Sequence, residues 1–335
     1  MKNVLYVGNA LSQQGKNFTS VEILGARLRE FCKVKIASSK QNKILRLLDM
    51  LLLVLKNNRR TDFVLIDTYS TTNFYYALII SQLSRGLKVR YIPILHGGNL
   101  EKRLKYSPKM SKMIFGNAYK LVSPSNFLKE CFKSYGYNNI EYIPNFLEIK
   151  DFEFCRRDIS VIKLFWLRSF VSIYNPTLAI LVLEELINRG HNAELTMVGP
   201  EINGSLKAIK QLAIDKKLNV KFTGKLSKEE WINLSKDCNV FINTTNFDNM
   251  PVSVIEAMAL GLPVVSTNVG GLPYLISNNE EGLLVPPNDV DSMANAIIKL
   301  KEDQNLKDKL VVNARKKVEK FDWKEIRGKW EKLLS

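Results

Sequence analysis

The sequence predicts two doubly wound α/β domains in tandem. Three observations point there. At 335 residues the chain exceeds one compact core at ~150 residues per domain. Short β-branched or apolar runs alternate with longer helical patterns through both halves. The alternation breaks once, at the polar, mixed stretch Glu148–Ile159, before a new apolar strand opens near Val161. We place the domains at residues 1–150 and 151–320, with a separate helix over 321–335.

In the first half the opening run Met1–Gly8 is too short and too soon interrupted for a signal peptide, and it reads as a buried strand over Val4–Val7. Val34–Ala37, Phe63–Asp67, Val89–Leu95, Lys120–Val122 and Glu141–Ile143 follow as strands, and Ile143-Pro144-Asn145 closes the last. In the second half the strands are Leu164–Leu167, Glu194–Val198, Val220–Thr223, Val240–Asn243, Pro263–Thr267 and Gly282–Val285. Helical patterns fill the gaps at Asn175–Arg189, Ser227–Lys236 and Val252–Leu260. Pro251 suits the first turn of its helix, Gly261 the left-handed position after it, and Pro263 the exit. The final segment is amphipathic, with Trp323 and Trp330 seven apart on one face that docks onto a domain.

Composition narrows the class. Apolar residues at 46% and charged residues at 24% exclude a largely disordered chain. No run of ~18 apolar residues exists, so no transmembrane helix is expected. Cys32, Cys131, Cys155 and Cys238 are far apart, and with only His96 and His191 beside them they predict free thiols in a reducing cytoplasm. Neither a zinc site nor any other cofactor is expected.

The charge is uneven. Residues 1–150 hold 24 Lys/Arg against 9 Asp/Glu, and residues 151–335 hold 25 against 24. A cationic half suggests an anionic partner. No nucleic-acid-binding motif is present, so nucleic acid is not expected. Two basic stretches stand out: Gln41–Arg60, with the apolar run Met50–Leu55 inside it, and Glu101–Lys112 with Lys102, Arg103, Lys105, Lys109 and Lys112. One reading is a buried helix plus a solvated face. The other is a surface resting on anionic lipid, with the protein peripheral on the inner face of the cell membrane.

The densest signal for chemistry runs from Asp248 to Ser266. It is a polar loop, a helix, a glycine stop and a strand, following the strand Val240–Asn243. Ligands of such sheets bind at the carboxyl ends of strands, so a cleft between the two domains is the expected site. The free N–H groups of the helix's first turn suit a phosphate. Glu256, more than one turn inside, could accept hydrogen bonds from a ribose diol. Arg168 and His96 stand at strand ends of the same kind.

Asp248 and Glu256 are eight apart, and the segment resembles the E-x(7)-E signature of retaining glycosyltransferases of family 4, which have the GT-B fold. The resemblance extends into Gly270-Gly271-Leu272-Pro273 and Glu281–Pro287. Phe165-Trp166-Leu167-Arg168 resembles the strand whose Arg binds the donor diphosphate; Met197-Val198-Gly199 and Phe222-Thr223-Gly224 resemble two later strand–glycine pairs. Val7-Gly8 through Gly15 resembles the first glycine-bearing loop, and His96-Gly97-Gly98 the sugar-facing histidine. Gly8 and Gly15-Lys16 do not make a P-loop, because the glycines are too far apart and Asn17 stands where Ser or Thr is needed.

Three positions depart from that family. Asp248 is one methylene shorter than the usual Glu, no Lys follows Arg168 at about five residues, and Tyr274 stands where Glu often follows Gly-Gly-x-Pro. Asp289-Val290-Asp291 mimics the Asp-x-Asp metal site of other glycosyltransferases, but it precedes a helix and is expected to cap it.

The resemblance implies a metal-independent retaining transferase. It would move a sugar from a nucleotide-diphosphate sugar to a glycan or glycolipid acceptor, a lipid-linked or cell-surface glycan precursor of polysaccharide biosynthesis. The acceptor domain would be the first and the donor domain the second. The implied catalytic residues are His96, Arg168 and Asp248; the donor-binding residues are Gly8, Gly15, Gly199, Asn249, Met250, Pro251 and Glu256. Two alternatives stay open: a nucleotide-sugar epimerase, and a degenerate transferase acting as a binding protein.

Overall fold

The computed structural model describes residues 1–12, 19–97, 99–202 and 204–335. It divides into two compact units. The first comprises Met1–Pro144 with Lys324–Ser335, and the second Asn145–Trp323.

In the first unit the order is β1 (Lys2–Val7), α1 (Ser20–Leu28), β2 (Cys32–Ala37), α2 (Lys43–Asn57), β3 (Phe63–Thr68) and α3 (Thr72–Gly86). There follow β4 (Arg90–Leu95), α4 (Leu100–Tyr106), α5 (Pro108–Phe115), β5 (Leu121–Ser123), α6 (Asn126–Ser134) and β6 (Ile140–Tyr142). The strands form one sheet in the order β2-β1-β3-β4-β5-β6, every pair parallel. All six residues of β3 are buried, as a central parallel strand covered on both faces requires. The order reverses between β1 and β3, which brings Gly8, just past β1, against Asp67 of β3.

The second unit runs β7 (Ile162–Leu167), α7 (Pro176–Asn188), β8 (Ala193–Val198), α8 (Ser205–Asp215), β9 (Val220–Gly224), α9 (Lys228–Ser235) and β10 (Val240–Asn243). It continues with α10 (Val252–Ala259), β11 (Val264–Thr267), α11 (Leu272–Leu275), β12 (Leu283–Val285), α12 (Val290–Glu302) and α13 (Gln304–Glu319). Its sheet is again parallel, ordered β12-β11-β10-β7-β8-β9, with the reversal between β7 and β10. Chain connections at such a reversal leave on opposite sides and open a crevice at the carboxyl ends of those two strands. The last helix, α14 (Trp323–Leu333), lies mostly with the first unit, and Trp323 and Trp330 are both buried.

All twelve strands lie where the sequence puts them, within two residues at each end. Two segments show packing that the sequence does not spell out. The polar stretch after residue 148 is packed against the second unit's core. Phe152 is fully buried against Trp231, and its carbonyl accepts from Arg315 Nη1 at 2.8 Å. The Cys155 amide donates to the Leu260 carbonyl at 3.2 Å. In α2 the run Met50–Leu55 is split: Met50 and Val54 face the core, while Leu52 and Leu55 face solvent. Asp289 caps α12 through the Ser292 amide at 2.9 Å, and Asp291 pairs with Arg189 at 2.6 Å. All four cysteines are free.

Candidate functional site

The crevice residues of the second unit come from the ends of β7, β8 and β10 and from the start of α10. Arg168 follows β7 directly, its amide held by the Val198 carbonyl at 3.0 Å. Its Nη2 donates to Asp248 Oδ2 at 2.7 Å, and its guanidinium lies over the Tyr174 ring, 4.7 Å from the centroid. Arg168 Nε is buried with no hydrogen-bond partner among the described residues. A nearly buried guanidinium with one N–H unspent, stacked on an aromatic ring, is pre-oriented to grip an oxyanion.

Gly199 closes this arrangement from β8. A Cβ there would overlap the Arg168 carbonyl oxygen, so only glycine lets the two strand ends approach. Gly270 and Gly271 do the same under the loop after β10. A side chain on Gly271 would strike the Asn249 carbonyl, and the Gly271 amide donates to the Asp248 carbonyl at 2.9 Å. The Asp248–Asn249 backbone is thereby pinned, and Asp248 Oδ1 accepts from the Asn249 amide at 2.7 Å. Asn249, Met250 and Pro251 are buried, and Pro251 is the N-cap of α10. Its carbonyl takes the amides of Val254 and Ile255, which leaves those of Val252 and Ser253 at the positive end of the helix. Ser253 Oγ is buried and without a partner among the described residues.

Glu256 lies one turn further on. Burial is the largest influence on its carboxyl and pushes the pKa up to about 7, against the pull of Lys228 and then Arg168. No side-chain hydrogen bond reaches it from the described residues. Lys228 is itself held by Asp151 at 3.0 Å and lies over the Phe152 ring. Lys228 and Tyr174 were not singled out from the sequence; folding brings Lys228 near Glu256 and turns the Tyr174 ring under Arg168.

The remaining predicted residues belong to the first unit. His96 follows β4, and its Nε2 is 2.9 Å from Asp67 Oδ1. Its ring stacks on Tyr69, with centroids 5.0 Å apart. Tyr6 donates its hydroxyl to the same Asp67 oxygen at 2.7 Å. Gly8 leaves room for Asp67: an added Cβ would sit 2.8 Å from Oδ2. Burial, and after it the Asp67 charge, raises the pKa of both Tyr6 and Tyr69, so both stay protonated. Sequence reasoning missed Asp67, Tyr6 and Tyr69. An aspartate ending an otherwise apolar strand was the available signal for Asp67. Gly15 and Gly98 lie outside the described residues. Among the described residues no group of three or more His, Cys, Asp or Glu could hold a metal ion.

Comparison with known proteins falls on the same region. Residues 162–317 match the family model described as glycosyl transferases group 1, a stretch that contains Arg168, Gly199, Asp248 and Glu256. That stretch, just under half of the chain, is thus similar to a group 1 glycosyltransferase domain. The capsular polysaccharide biosynthesis glycosyltransferase CapM of Staphylococcus aureus is 32% identical over 152 residues, covering 45% of this chain and 39% of that protein. Sucrose-phosphate synthase of Spinacia oleracea is 38% identical over 91 residues, covering 27% of this chain and 9% of that protein. The matched stretches thus span less than half of these relatives' length.

Among solved structures, sucrose-phosphate synthase from Thermosynechococcus elongatus aligns with a TM-score of 0.82 at 16% identity, over 99% of this chain and 98% of that one. Anabaena HepE in complex with UDP-glucose aligns with a TM-score of 0.77 at 16% identity, over 100% and 99%. Two parallel six-stranded sheets with this connectivity are the GT-B fold.

Proposed function

We propose that the protein is a retaining, family 4-type glycosyltransferase that moves a sugar from a nucleotide-diphosphate sugar to a glycan or glycolipid acceptor. The observation that carries this reading is the joining of Arg168, Asp248, the α10 N-terminus and Glu256 at the β7–β10 reversal of the group 1 domain. Departure of a nucleoside diphosphate builds negative charge. Arg168 and the Val252 and Ser253 amides are placed to offset it, which needs no metal ion. Glu256 holds the ribose diol. Asp248 and the backbone of Asn249 and Met250 orient the sugar, and Gly199 lets the Arg168 strand end sit close enough. Lys228 supplies a second cation on the Glu256 side.

No side chain of this unit is set up as a covalent nucleophile, so retention proceeds by front-face attack, with the leaving phosphate helping to deprotonate the acceptor. The first unit takes the acceptor, Gly8 belongs to the donor-binding set and His96 to the catalytic one, and the unit's cationic surface keeps the protein at the inner face of a membrane. Support for the donor class comes from HepE, solved with UDP and with UDP-glucose. Support for a glycan acceptor comes from the polysaccharide transferase CapM.

The test is a thermal-shift panel of nucleotide sugars followed by product analysis. A true donor at a hundred times its Kd stabilises the fold by about 2.7 kcal/mol. The new linkage should keep the donor's anomeric configuration, in the presence of a chelator as in its absence. An inverted anomer overturns retention. A sugar nucleotide altered without any acceptor makes the protein an epimerase.

A further inference from the structure

Most of the exposed large apolar side chains of the first unit lie on three helices. Ile44, Leu45, Leu48, Leu52 and Leu55 of α2 are exposed at 71%, 55%, 48%, 49% and 46%. Residues 44, 48, 52 and 55 recur at helical spacing on one face, while Arg46, Met50 and Val54 fill the opposite, buried face. Helix α3 packs against α2 and adds Tyr75 and Ile79; α5 packs against α3 and adds Met110 and Met113. An apolar surface spread over three neighbouring helices marks a contact surface. No helix among the described residues is long and apolar enough to cross a membrane.

A second feature adjoins it. The C-terminal end of α2 opens on a cavity of about 1350 Å³ at the amino ends of β1 and β2, away from the strand ends that carry the candidate site. Leu55 of the apolar face is in its wall. So are Arg29, Lys33, Lys35, Lys56, Arg59 and Arg60, with no Asp or Glu among the lining residues. Lys35 is bonded to Asn57 Oδ1 at 2.6 Å. The other five have no ion pair or hydrogen bond within the described residues. Six cations facing one cavity repel each other, and an anion with several oxygens relieves that repulsion. Lys40 and Lys43 extend the positive charge to the other end of the helix.

We propose that the exposed face of α2 and this cavity form one docking surface for an anionic lipid bilayer, the leucines entering the interface and headgroup phosphates lodging among Lys33, Lys56, Arg59 and Arg60. The proposal rests on the reading of the protein as membrane-peripheral and names the surface responsible. It assigns docking to α2 and not to the basic stretch of α4 and α5.

The experiment is co-sedimentation of the full chain with phosphatidylcholine vesicles, with and without added phosphatidylglycerol. Three variants are compared, each checked for an unchanged melting profile: Lys33→Gln/Lys56→Gln/Arg59→Gln/Arg60→Gln, Leu48→Ser/Leu52→Ser, and Lys102→Gln/Lys105→Gln/Lys109→Gln/Lys112→Gln. The wild type should bind the anionic vesicles far more tightly than the neutral ones. The cavity variant should lose about fivefold in affinity per cation removed. The leucine variant should lose the binding that survives ~1 M salt, where screening falls to ~3 Å. The α4–α5 variant should bind as the wild type does.

Loss in the α4–α5 variant with normal binding by the cavity variant overturns the assignment to α2 and leaves membrane docking standing. A wild type that binds no vesicle yet transfers sugar to a soluble acceptor overturns membrane docking and leaves glycosyl transfer standing. A leucine variant that turns a dimer into a monomer makes the apolar face a contact between copies. Tight binding of inorganic polyphosphate by a wild type that ignores vesicles makes the cavity a site for a soluble polyanion.

Discussion

Replacing Glu256 by Gln separates the cost of the site from its use. Burial raises the Glu256 pKa from the ordinary 4.5 to about 7. A carboxyl whose folded pKa lies above its unfolded one contributes fully below the unfolded value and loses that contribution as pH rises through the folded value. The window is therefore about pH 4.5 to 7. At pH 8 the charged form costs the fold about 3 kcal/mol, taking 1.36 kcal/mol per pKa unit; at pH 5 the cost is under about 1 kcal/mol. Glu256→Gln keeps the shape and removes the charge, so it should stabilise the ligand-free protein at pH 8 and barely change it at pH 5. Chemical denaturation at the two pH values measures this. The same substitution should weaken nucleotide binding by about 1.5–3 kcal/mol, the worth of a hydrogen bond to a charged group. Calorimetric titration with the donor that the panel identifies measures that loss. A gain over the wild type that is no larger at pH 8 than at pH 5 would show that the carboxylate is not held at a cost. Undiminished affinity in a folded variant would remove Glu256 from the site.

The Arg168–Asp248 pair, at 2.7 Å and mostly buried, should couple in a double-mutant cycle. Each single Ala variant strands the other's charge and costs more than an exposed pair's ~1 kcal/mol, while the double variant recovers part of that loss in denaturation. Gly199→Ala should lower both stability and turnover, because its Cβ drives into the Arg168 carbonyl; a variant normal in both would put that strand end elsewhere. Asp67→Ala leaves the Tyr6 hydroxyl and His96 Nε2 without their shared acceptor and should cost about 1–3 kcal/mol in chemical denaturation.

The fold was legible because buried parallel strands are written as short apolar runs, and β3, β10 and β11 are buried at every position. The faces of α2 were not. A run such as Met50–Leu55 is apolar at every position, so periodicity cannot tell which side the core covers; contact with β1, β2 and α3 decides it. Arg168 and Asp248 each stood out in the sequence, but their ion pair joins residues 80 apart and exists only because β7 lies next to β10. Asp67 was hidden for the opposite reason. Its partners are Tyr6 in β1 and His96 just past β4, and only their convergence on one oxygen gives the carboxylate a role.

The two polar clusters differ in how completely they are satisfied. Around Asp67 the network is closed: Tyr6 and His96 share one oxygen, and Gly8 leaves space for the other. At the β7–β10 reversal it is open. Arg168 Nε, Ser253 Oγ and Asn243 Oδ1 are buried without partners among the described residues, and burial leaves the Glu256 carboxyl only about half ionised near pH 7. An unsatisfied buried polar atom costs about 1–3 kcal/mol, so a fold selected for stability alone would have replaced these side chains with apolar ones. The orphaned groups have complementary chemistry. One is an N–H donor on a cation, one a hydroxyl, one a carbonyl acceptor and one a carboxyl, which together match the phosphate oxygens and hydroxyls of a sugar nucleotide. Such a ligand gains affinity from relieving these costs as well as from its own new contacts. The ligand-free unit is in this sense held short of its stability optimum where β7, β10 and α10 meet.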